Sequence, residues 1–267
     1  KVYNSLENQS DLLIIGTSRV MQFRPQNFHF DSYNAGGVIS RIEQVIPLIE
    51  FLDSNGYTPE YIILGLDQYF FNSNWHQIDY STADYYGYRI ELLDTSPQPN
   101  YGLFLRDLLT NETKIYDLLQ APYSKNIGIN ARINDSGFRN DGSFVYGSHQ
   151  FLTDDINVYF EDSINRIENN HRRFEYQSEV YQKALDELEE ILLLAHDKNI
   201  KVVAFTPPYA PQIYELMTQT GDYGYIDLIP SSVSEIFDKF SEHIFFDFTY
   251  IPQYNNAFYV DGFHGDE

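Results

Sequence analysis

The chain has 267 residues, of which 43% are hydrophobic and 16% are aromatic, enough apolar material for the core of one large domain or two small ones. Seventeen basic against 39 acidic side chains give a formal net charge of −22, so we expect an acidic surface, which excludes nucleic acid as a partner. Cysteine is absent, which excludes disulfides, thiolate catalysis and cysteine-ligated metals.

The longest apolar runs are far shorter than the roughly 20 residues that span a bilayer. The sequence also begins without a basic and apolar leader, so we expect any signal or membrane anchor to lie outside it.

The segment Asp11–Val20 predicts a buried strand that ends at a serine. Four apolar residues lead into Gly16, Thr17, Ser18 and Arg19, and a short continuous apolar run is typical of a strand in a parallel sheet. Ligands of open α/β sheets bind at the carboxyl ends of the strands, where a serine beside free N–H groups can act as a nucleophile. A serine at this point can also be only a cap for the next segment, and Ser18 alone leaves both interpretations open.

The first third of the chain alternates strand and helix patterns. A second strand is predicted over Phe28–Tyr33, followed by a turn that contains Gly36 and Gly37. Apolar residues at helical spacing predict a helix between residues 42 and 52, which Pro47 should kink. The next buried strand is predicted over Tyr61–Leu66. This alternation implies right-handed crossovers and a parallel sheet.

The alternation stops between about residues 71 and 171, in a segment rich in Tyr, Asn, Asp and Ser that we interpret as an irregular insertion. Within it, Gly137–Ser143 predicts the turn of a hairpin. Polar segments rich in aromatic residues line carbohydrate clefts in some proteins and serve ordinary packing in others, and the sequence leaves both open.

The α/β pattern returns after the insertion and ends in a loop that carries Asp261 and His264. Further helices and strands are predicted over Tyr181–Ala195, Lys201–Phe205, Ser231–Ser241 and Ile244–Phe248. We therefore predict a single domain over residues 1–267, with a flavodoxin-like three-layer α/β/α architecture and a central parallel sheet.

Several common chemistries have no support in the sequence. There is no glycine-rich phosphate-binding motif and no His-Glu-x-x-His pair, and the seven histidines are dispersed, so we expect neither a cofactor nor a metal. The Ser18 turn also lacks the second glycine of an α/β-hydrolase nucleophile elbow, because Val20 occupies that position.

Four short blocks resemble those of the SGNH/GDSL hydrolase superfamily, in the usual order and over nearly the whole chain. They are Gly16-Thr17-Ser18, the pair Gly36-Gly37, Gly65-Leu66-Asp67, and Asp261-Gly262-Phe263-His264. The first three follow predicted strands, which would bring them to one edge of the sheet. The resemblance also implies a closing helix after His264, outside this sequence.

The resemblance implies an acyl-enzyme mechanism. Ser18 would attack an ester carbonyl, His264 would accept its proton, and Asp261 would orient the imidazole. The Ser18 N–H, an N–H of Gly36 or Gly37, and a third donor from the Gly65 block would form the oxyanion hole. Hydrolysis and acyl transfer share the acyl-enzyme, and the sequence leaves both open.

The third block departs from the family, since Asp67 stands where an asparagine amide usually donates to the oxyanion. An ionised carboxylate cannot donate, so Asp67 keeps its proton, Gln68 or another donor replaces it, or Asp67 has a structural role. Arg19 could either bind an anionic group of the substrate or pair with an acidic side chain. Weaker candidates for the cleft are Arg139, Asp141 and His149.

The Gly-Thr-Ser-Arg block, the Gly-x-Asp block and Thr206-Pro207-Pro208 are similar to membrane-anchored extracytoplasmic members that work beside acyl-exporting membrane proteins. This narrower resemblance implies an O-acyl, in particular O-acetyl, esterase or transferase for cell-surface carbohydrate. It also implies an extracytoplasmic location, an N-terminal anchor outside this sequence, and a membrane-bound acyl exporter as partner. The alternative is a non-catalytic glycan-binding or assembly module that keeps the fold.

Overall fold

The computed structural model describes residues 1–77, 136–146 and 156–265, together with the isolated positions 105, 109, 116, 126 and 131. The strands of the described chain are β1 Leu12–Ile15, β2 Ser32–Asn34, β3 Tyr61–Gly65, β4 Gly137–Phe138, β5 Phe144–Val145, β6 Lys201–Thr206 and β7 Ile244–Asp247. Its α-helices are α1 Val2–Asn8, α2 Val45–Ser54, α3 Ser73–Gln77, α4 Ile156–Glu168, α5 Gln182–Asp197, α6 Pro211–Thr220 and α7 Gly224–Phe237.

Five parallel strands form the central sheet in the order β2-β1-β3-β6-β7, and β4 and β5 form a separate antiparallel hairpin. Counting only the parallel strands, the order is 2-1-3-4-5, which is the flavodoxin-like order. The sheet and its flanking helices confirm the predicted three-layer α/β/α fold. The carboxyl ends of β1, β3 and β6 lie side by side in this order, so the segments that follow them meet at one edge.

One face of the sheet forms the main core. Leu13, Ile62 and Val202 are register neighbours on β1, β3 and β6, and all three are almost completely buried. Buried residues of the helices complete the same cluster, among them Leu48, Leu52, Leu188, Leu192, Ile229 and Val233. Burial on this face explains why the strands read as continuous apolar runs.

The opposite face is covered more thinly within the described residues. Ile14 and Phe205 are buried there, and Phe23, from the segment between β1 and β2, stacks on Phe205 with ring centroids 5.3 Å apart. At the β7 edge, Ile244 and Phe246 are 50% and 46% exposed. The sheet therefore presents accessible apolar side chains along its β7 edge.

The structure differs from the prediction in several elements. Pro47 lies in the first turn of α2, where its missing N–H would have had no acceptor within the helix. Strand β2 is shorter and later than the predicted Phe28–Tyr33, and α7 begins seven residues before the predicted Ser231. Helices α1, α3, α4 and α6 were not predicted.

The predicted hairpin around Gly137–Ser143 is confirmed by the pairing of β4 with β5. Most of the rest of the predicted insertion, including His149, lies outside the described residues. Within the described part of the chain, none of the helices has the length and apolar character needed to cross a bilayer.

We expect His243 to make the stability of the fold sensitive to acid. Its Nδ1 accepts the Val202 N–H and its Nε2 donates to the Leu192 carbonyl, both at 3.2 Å, as a neutral imidazole does. Burial lowers the pKa of His243 below the ordinary 6.5, although the Glu242 carboxylate acts in the opposite direction. The unfolded chain therefore binds the proton more readily, and we expect the free energy of unfolding to fall as the pH drops below about 6.5.

Urea unfolding at about pH 7.5 and about pH 5.5 measures this effect. The loss of stability between the two pH values should be smaller in His243→Gln than in the unsubstituted chain. His29→Gln serves as the control, because His29 is exposed. An equal loss in His243→Gln would contradict the prediction.

Candidate active site

The predicted nucleophile Ser18, the base His264 and the orienting carboxylate Asp261 meet at the carboxyl edge of the sheet. His264 Nε2 lies 2.7 Å from Ser18 Oγ, and His264 Nδ1 lies 2.6 Å from Asp261 Oδ2. With Asp261 accepting from Nδ1–H, Nε2 is the atom that accepts the serine proton. Ser18 and His264 are 246 positions apart in the chain, so this contact is produced by the fold.

Asp261 organises the loop that carries His264. Its Oδ1 accepts the N–H groups of Phe263 and His264 at 3.3 and 2.9 Å, while its Oδ2 binds the imidazole. Burial raises the pKa of Asp261, but the hydrogen bonds and charge of His264 together lower it below its ordinary value. Asp261 is therefore ionised at neutral pH and able to stabilise an imidazolium.

Ser18 begins a short 3-10 turn, Ser18–Val20, immediately after β1. Its neighbours Thr17 and Arg19 are buried, whereas Ser18 is partly accessible. Thr17 Oγ1 accepts the Arg19 N–H at 3.3 Å. None of the hydrogen bonds within the described residues uses the Ser18 N–H, so this donor is open to a ligand.

Val20 packs into a socket formed by three glycines at the ends of β1, β2 and β3. A Cβ on Gly16, Gly36 or Gly65 would lie 2.9, 2.7 or 2.5 Å from the γ-methyl groups of Val20, too close for a real contact. The glycines are therefore required for close packing, and the socket holds the turn that contains Ser18.

The N–H groups of Gly36 and Gly37 are already occupied. Gly36 N–H donates to Asn34 Oδ1 at 2.7 Å, and Gly37 N–H donates to the Gly16 carbonyl at 2.8 Å. This corrects the prediction that one of them donates to an oxyanion. Of the backbone donors predicted from the sequence, only the Ser18 N–H is open in the described structure.

Asn34 is a site residue that the sequence analysis missed. Its fully buried side-chain amide donates to the carbonyls of Val20, Met21 and Phe23 at 2.7, 3.3 and 2.8 Å. These bonds fasten the segment after Ser18 to the end of β2. The sequence signal for this role was an asparagine two residues before a glycine, a spacing at which the asparagine side chain can accept a backbone N–H in a turn.

Arg19 and Asp67 form an ion pair beneath the Ser18 turn. Arg19 Nη1 lies 3.1 Å from Asp67 Oδ1, and the two side chains are 1% and 0% exposed. Asp67 Oδ2 accepts the hydroxyl of Thr17 at 2.6 Å. Asp67 therefore has the structural role, which is one of the alternatives that the sequence left open. Both of its carboxylate oxygens accept hydrogen bonds from protein groups.

All five N–H donors of Arg19 are used within the protein. Besides Asp67, they reach Gln68 Oε1 at 2.7 Å and the carbonyls of Phe263, Pro207 and Pro208 at 2.9, 2.8 and 2.6 Å. The guanidinium also lies 4.5 Å from the centroid of the Tyr209 ring. This corrects the prediction that Arg19 binds substrate and selects the alternative, pairing with an acidic side chain.

Gln68 does not replace the missing oxyanion donor. Its Nε2 donates to the Pro207 carbonyl at 2.8 Å and to Thr249 Oγ1 at 3.1 Å, and its Oε1 accepts from Arg19. The side chain is fully buried. Gln68 thus connects the ends of β3 and β6 to the loop after β7.

The β4–β5 hairpin packs beside the site. Phe144 N–H donates to the Met21 carbonyl at 2.7 Å, and Tyr146 lies with its ring centroid 6.0 Å from that of His264. Burial, assisted by the charge of Asp261, raises the pKa of Tyr146 to about 12, so its phenol stays neutral at physiological pH.

Two of the weaker candidates close the turn of this hairpin. Asp141 Oδ1 accepts the N–H and hydroxyl of Ser143 at 2.9 and 2.6 Å, and Arg139 Nη1 donates to Ser143 Oγ at 3.3 Å.

Among the described residues, no cluster of three or more His, Asp or Glu side chains is arranged to hold a metal. The chemistry that the arrangement supports is proton transfer from Ser18 to His264.

Gly65→Ala tests the Val20 socket. The new methyl group would meet Val20 Cγ1 at 2.5 Å, so we expect a destabilisation of about 1–3 kcal/mol from overpacking. Val20→Ala removes the γ-methyl groups that cause the clash. The double variant Gly65→Ala/Val20→Ala should therefore lose less stability than the sum of the single losses, as measured by denaturant unfolding. Additive losses would show that the close packing is not the cause.

Comparison of the chain with models of protein families, with curated proteins and with solved structures finds no match. Function must therefore be argued from the geometry of the Ser18, His264 and Asp261 side chains and from the four sequence blocks.

Proposed function

We propose that this protein is a serine-dependent O-acyl esterase or acyltransferase that acts through an acyl-enzyme on Ser18. The observation that carries the proposal is the continuous hydrogen-bonded chain from Ser18 Oγ through His264 to Asp261, with separations of 2.7 and 2.6 Å. A hydroxyl becomes a useful nucleophile at neutral pH when an adjacent base can take its proton. Partial exposure of Ser18 would let an ester carbonyl approach it.

In the first step, His264 Nε2 takes the proton of Ser18 while Ser18 Oγ bonds to the ester carbonyl carbon. The tetrahedral intermediate then expels the alcohol, which receives this proton from His264, and leaves the acyl group on Ser18. In the second step, His264 deprotonates water or a sugar hydroxyl, whose oxygen attacks the acyl-enzyme. Ser18 recovers its proton, and the product is a carboxylic acid or a new ester.

Because the N–H groups of Gly36 and Gly37 already have acceptors in the protein, we expect catalysis to be slow. The Ser18 N–H would stabilise the oxyanion, whereas the N–H groups of Gly36 and Gly37 and the side chains of Asp67 and Gln68 are engaged within the protein. Each missing donor typically costs about 3 kcal/mol of transition-state stabilisation. Formation of a covalent adduct is therefore a better first test than rapid turnover.

For the substrate, we propose an O-acylated, in particular O-acetylated, cell-surface carbohydrate. The loop that carries Asp261 and His264 also presents exposed aromatic rings at Tyr250, Tyr254 and Phe258. Aromatic faces of this kind can stack on the C–H groups of sugars. An extracytoplasmic location, an N-terminal anchor and a membrane-bound acyl exporter as partner belong to the same proposal, which rests on the Gly-Thr-Ser-Arg and Thr-Pro-Pro blocks.

A non-catalytic glycan-binding or assembly module is the second candidate. The observation that favours it is the occupation of the Gly36 and Gly37 N–H groups, together with the pairing of Asp67 to Arg19. Such a module would retain the fold and use its exposed aromatic rings for binding. The two candidates differ in whether Ser18 reacts covalently.

A fluorophosphonate probe distinguishes these candidates. We expect one adduct on Ser18, detected by intact mass and located by peptide mapping, because the probe reacts with a serine that an adjacent base activates. Ser18→Ala should form no adduct, whereas Ser231→Ala should react normally, since Ser231 is exposed on α7. An unlabelled native chain, or equal labelling of Ser18→Ala, would favour the binding module.

Asp261→Asn tests the third member of the hydrogen-bonded series Ser18–His264–Asp261. Asparagine can still accept the loop N–H groups but cannot stabilise the imidazolium, so we expect acylation by an aryl acetate to slow by about 10⁴-fold. KM should change little, because Asp261 acts on the transition state. Asp238→Asn, at the C-terminus of α7, is the control. A loss smaller than about tenfold would contradict the role of Asp261.

A further inference from the structure

We propose that Asp67 and Arg19 are positioning residues that hold the serine turn and the histidine loop in a fixed relation, and that the third block has this role here instead of donating to the oxyanion. The inference deepens the proposed function and rests on it. Three structural observations support it.

Asp67 binds the residues on both sides of Ser18. Its Oδ2 accepts from Thr17 Oγ1 at 2.6 Å, and its Oδ1 accepts from Arg19 Nη1 at 3.1 Å. The carboxylate thus restrains the backbone immediately before and after the nucleophile. An asparagine could not accept both bonds with equivalent oxygens, so the carboxylate is chemically suited to this place.

Arg19 extends the restraint to the base. Its Nε donates to the Phe263 carbonyl at 2.9 Å, and Phe263 immediately precedes His264. A single rigid guanidinium therefore contacts both the nucleophile turn and the histidine loop. The planar guanidinium sets the distance between them, which a flexible ammonium would not do.

The ends of β3 and β6 anchor the guanidinium. Arg19 donates to Gln68 Oε1 and to the carbonyls of Pro207 and Pro208, and Gln68 itself donates to Pro207. Arg19, Gln68 and Pro207 are buried and Pro208 is partly buried, so a bond lost between Arg19, Gln68 and Pro207 is not readily replaced by a bond to water. The restraint is therefore built on the strand ends of the sheet rather than on flexible loops.

The catalytic consequence follows from geometry. Ser18 and His264 must stay within hydrogen-bond distance for proton transfer, and a displacement of 1 Å can cost about 100-fold in rate. Loosening of the Asp67–Arg19 pair should therefore slow acylation of Ser18. Substrate binding should change little, because neither side chain is accessible to a substrate.

Asp67→Asn separates the positioning role from an oxyanion role. Asparagine is the oxyanion donor of the resembling family, so an oxyanion role at this position predicts that the substitution raises the acylation rate. The positioning role predicts that acylation slows by about 10- to 100-fold with KM nearly unchanged. Thr17→Val, which removes one bond to Asp67 and the acceptor of the Arg19 N–H with little change in size, should also slow acylation.

Arg19→Lys tests the connection to the histidine loop. An ammonium has three donors and cannot meet five acceptors, so the Phe263 carbonyl should be released. We expect the low-field NMR signal of the His264 Nδ1 proton, which reports the bond to Asp261, to broaden or disappear. Arg19→Gln should show a larger loss than Arg19→Lys. Val233→Ala, in the core of α7, controls for a general loss of stability and should leave the signal intact.

The outcomes separate this inference from the proposed function. If Ser18 fails to react with a fluorophosphonate but Arg19→Lys still alters the His264 signal, the enzymatic function fails and the positioning role stands. If Ser18 reacts in the native chain and reacts at the same rate in Asp67→Asn, Thr17→Val and Arg19→Lys, with the His264 signal unchanged, the positioning role is overturned. A faster Asp67→Asn variant would overturn it as well.

Discussion

The buried contact between the Arg19 guanidinium and the Asp67 carboxylate connects the Ser18 turn, the ends of β3 and β6 and the loop that carries His264. Burial of two charges is costly, so such a pair persists only when its remaining hydrogen-bonding groups are satisfied. Here the partners come from the ends of β1, β3 and β6 and from the loop that carries His264. The need to satisfy the pair thus links the position of Ser18 to that of His264.

The flavodoxin-like strand order makes this connection possible. Strand β1 lies beside β3, and β3 lies beside β6, so the groups that surround Arg19 belong to neighbouring strand ends. The glycine socket around Val20 and the amide of Asn34 fasten the same turn from the side of β2. The catalytic geometry that we propose is therefore a property of the sheet edge. A single loop would not determine it.

The sequence predicted the features that depend on local pattern. Apolar runs located four of the five parallel strands closely, and helical spacing located α2 and α5. Ser18, Asp261 and His264 were grouped through the resemblance of the four sequence blocks, and the common edge at which parallel strands end accounted for the first three blocks only. The partners of Arg19, Gly36 and Gly37 could not be predicted, since Asp67 is 48 positions from Arg19 and the choice of acceptor depends on tertiary packing. The place of Pro47 in the first turn of α2 could not be predicted either, because it depends on where the helix begins.

The central claim is that Ser18 carries an acyl group during the reaction. Rapid acid quenching of the protein mixed with an acetyl ester, followed by mass analysis of its peptides, measures this directly. We predict an acetyl group on the peptide that contains Ser18, which appears before free acetate or the acetylated acceptor accumulates and is absent from Ser18→Ala. Product formation without an acetylated peptide, or with the acetyl group on another residue, would contradict the claim.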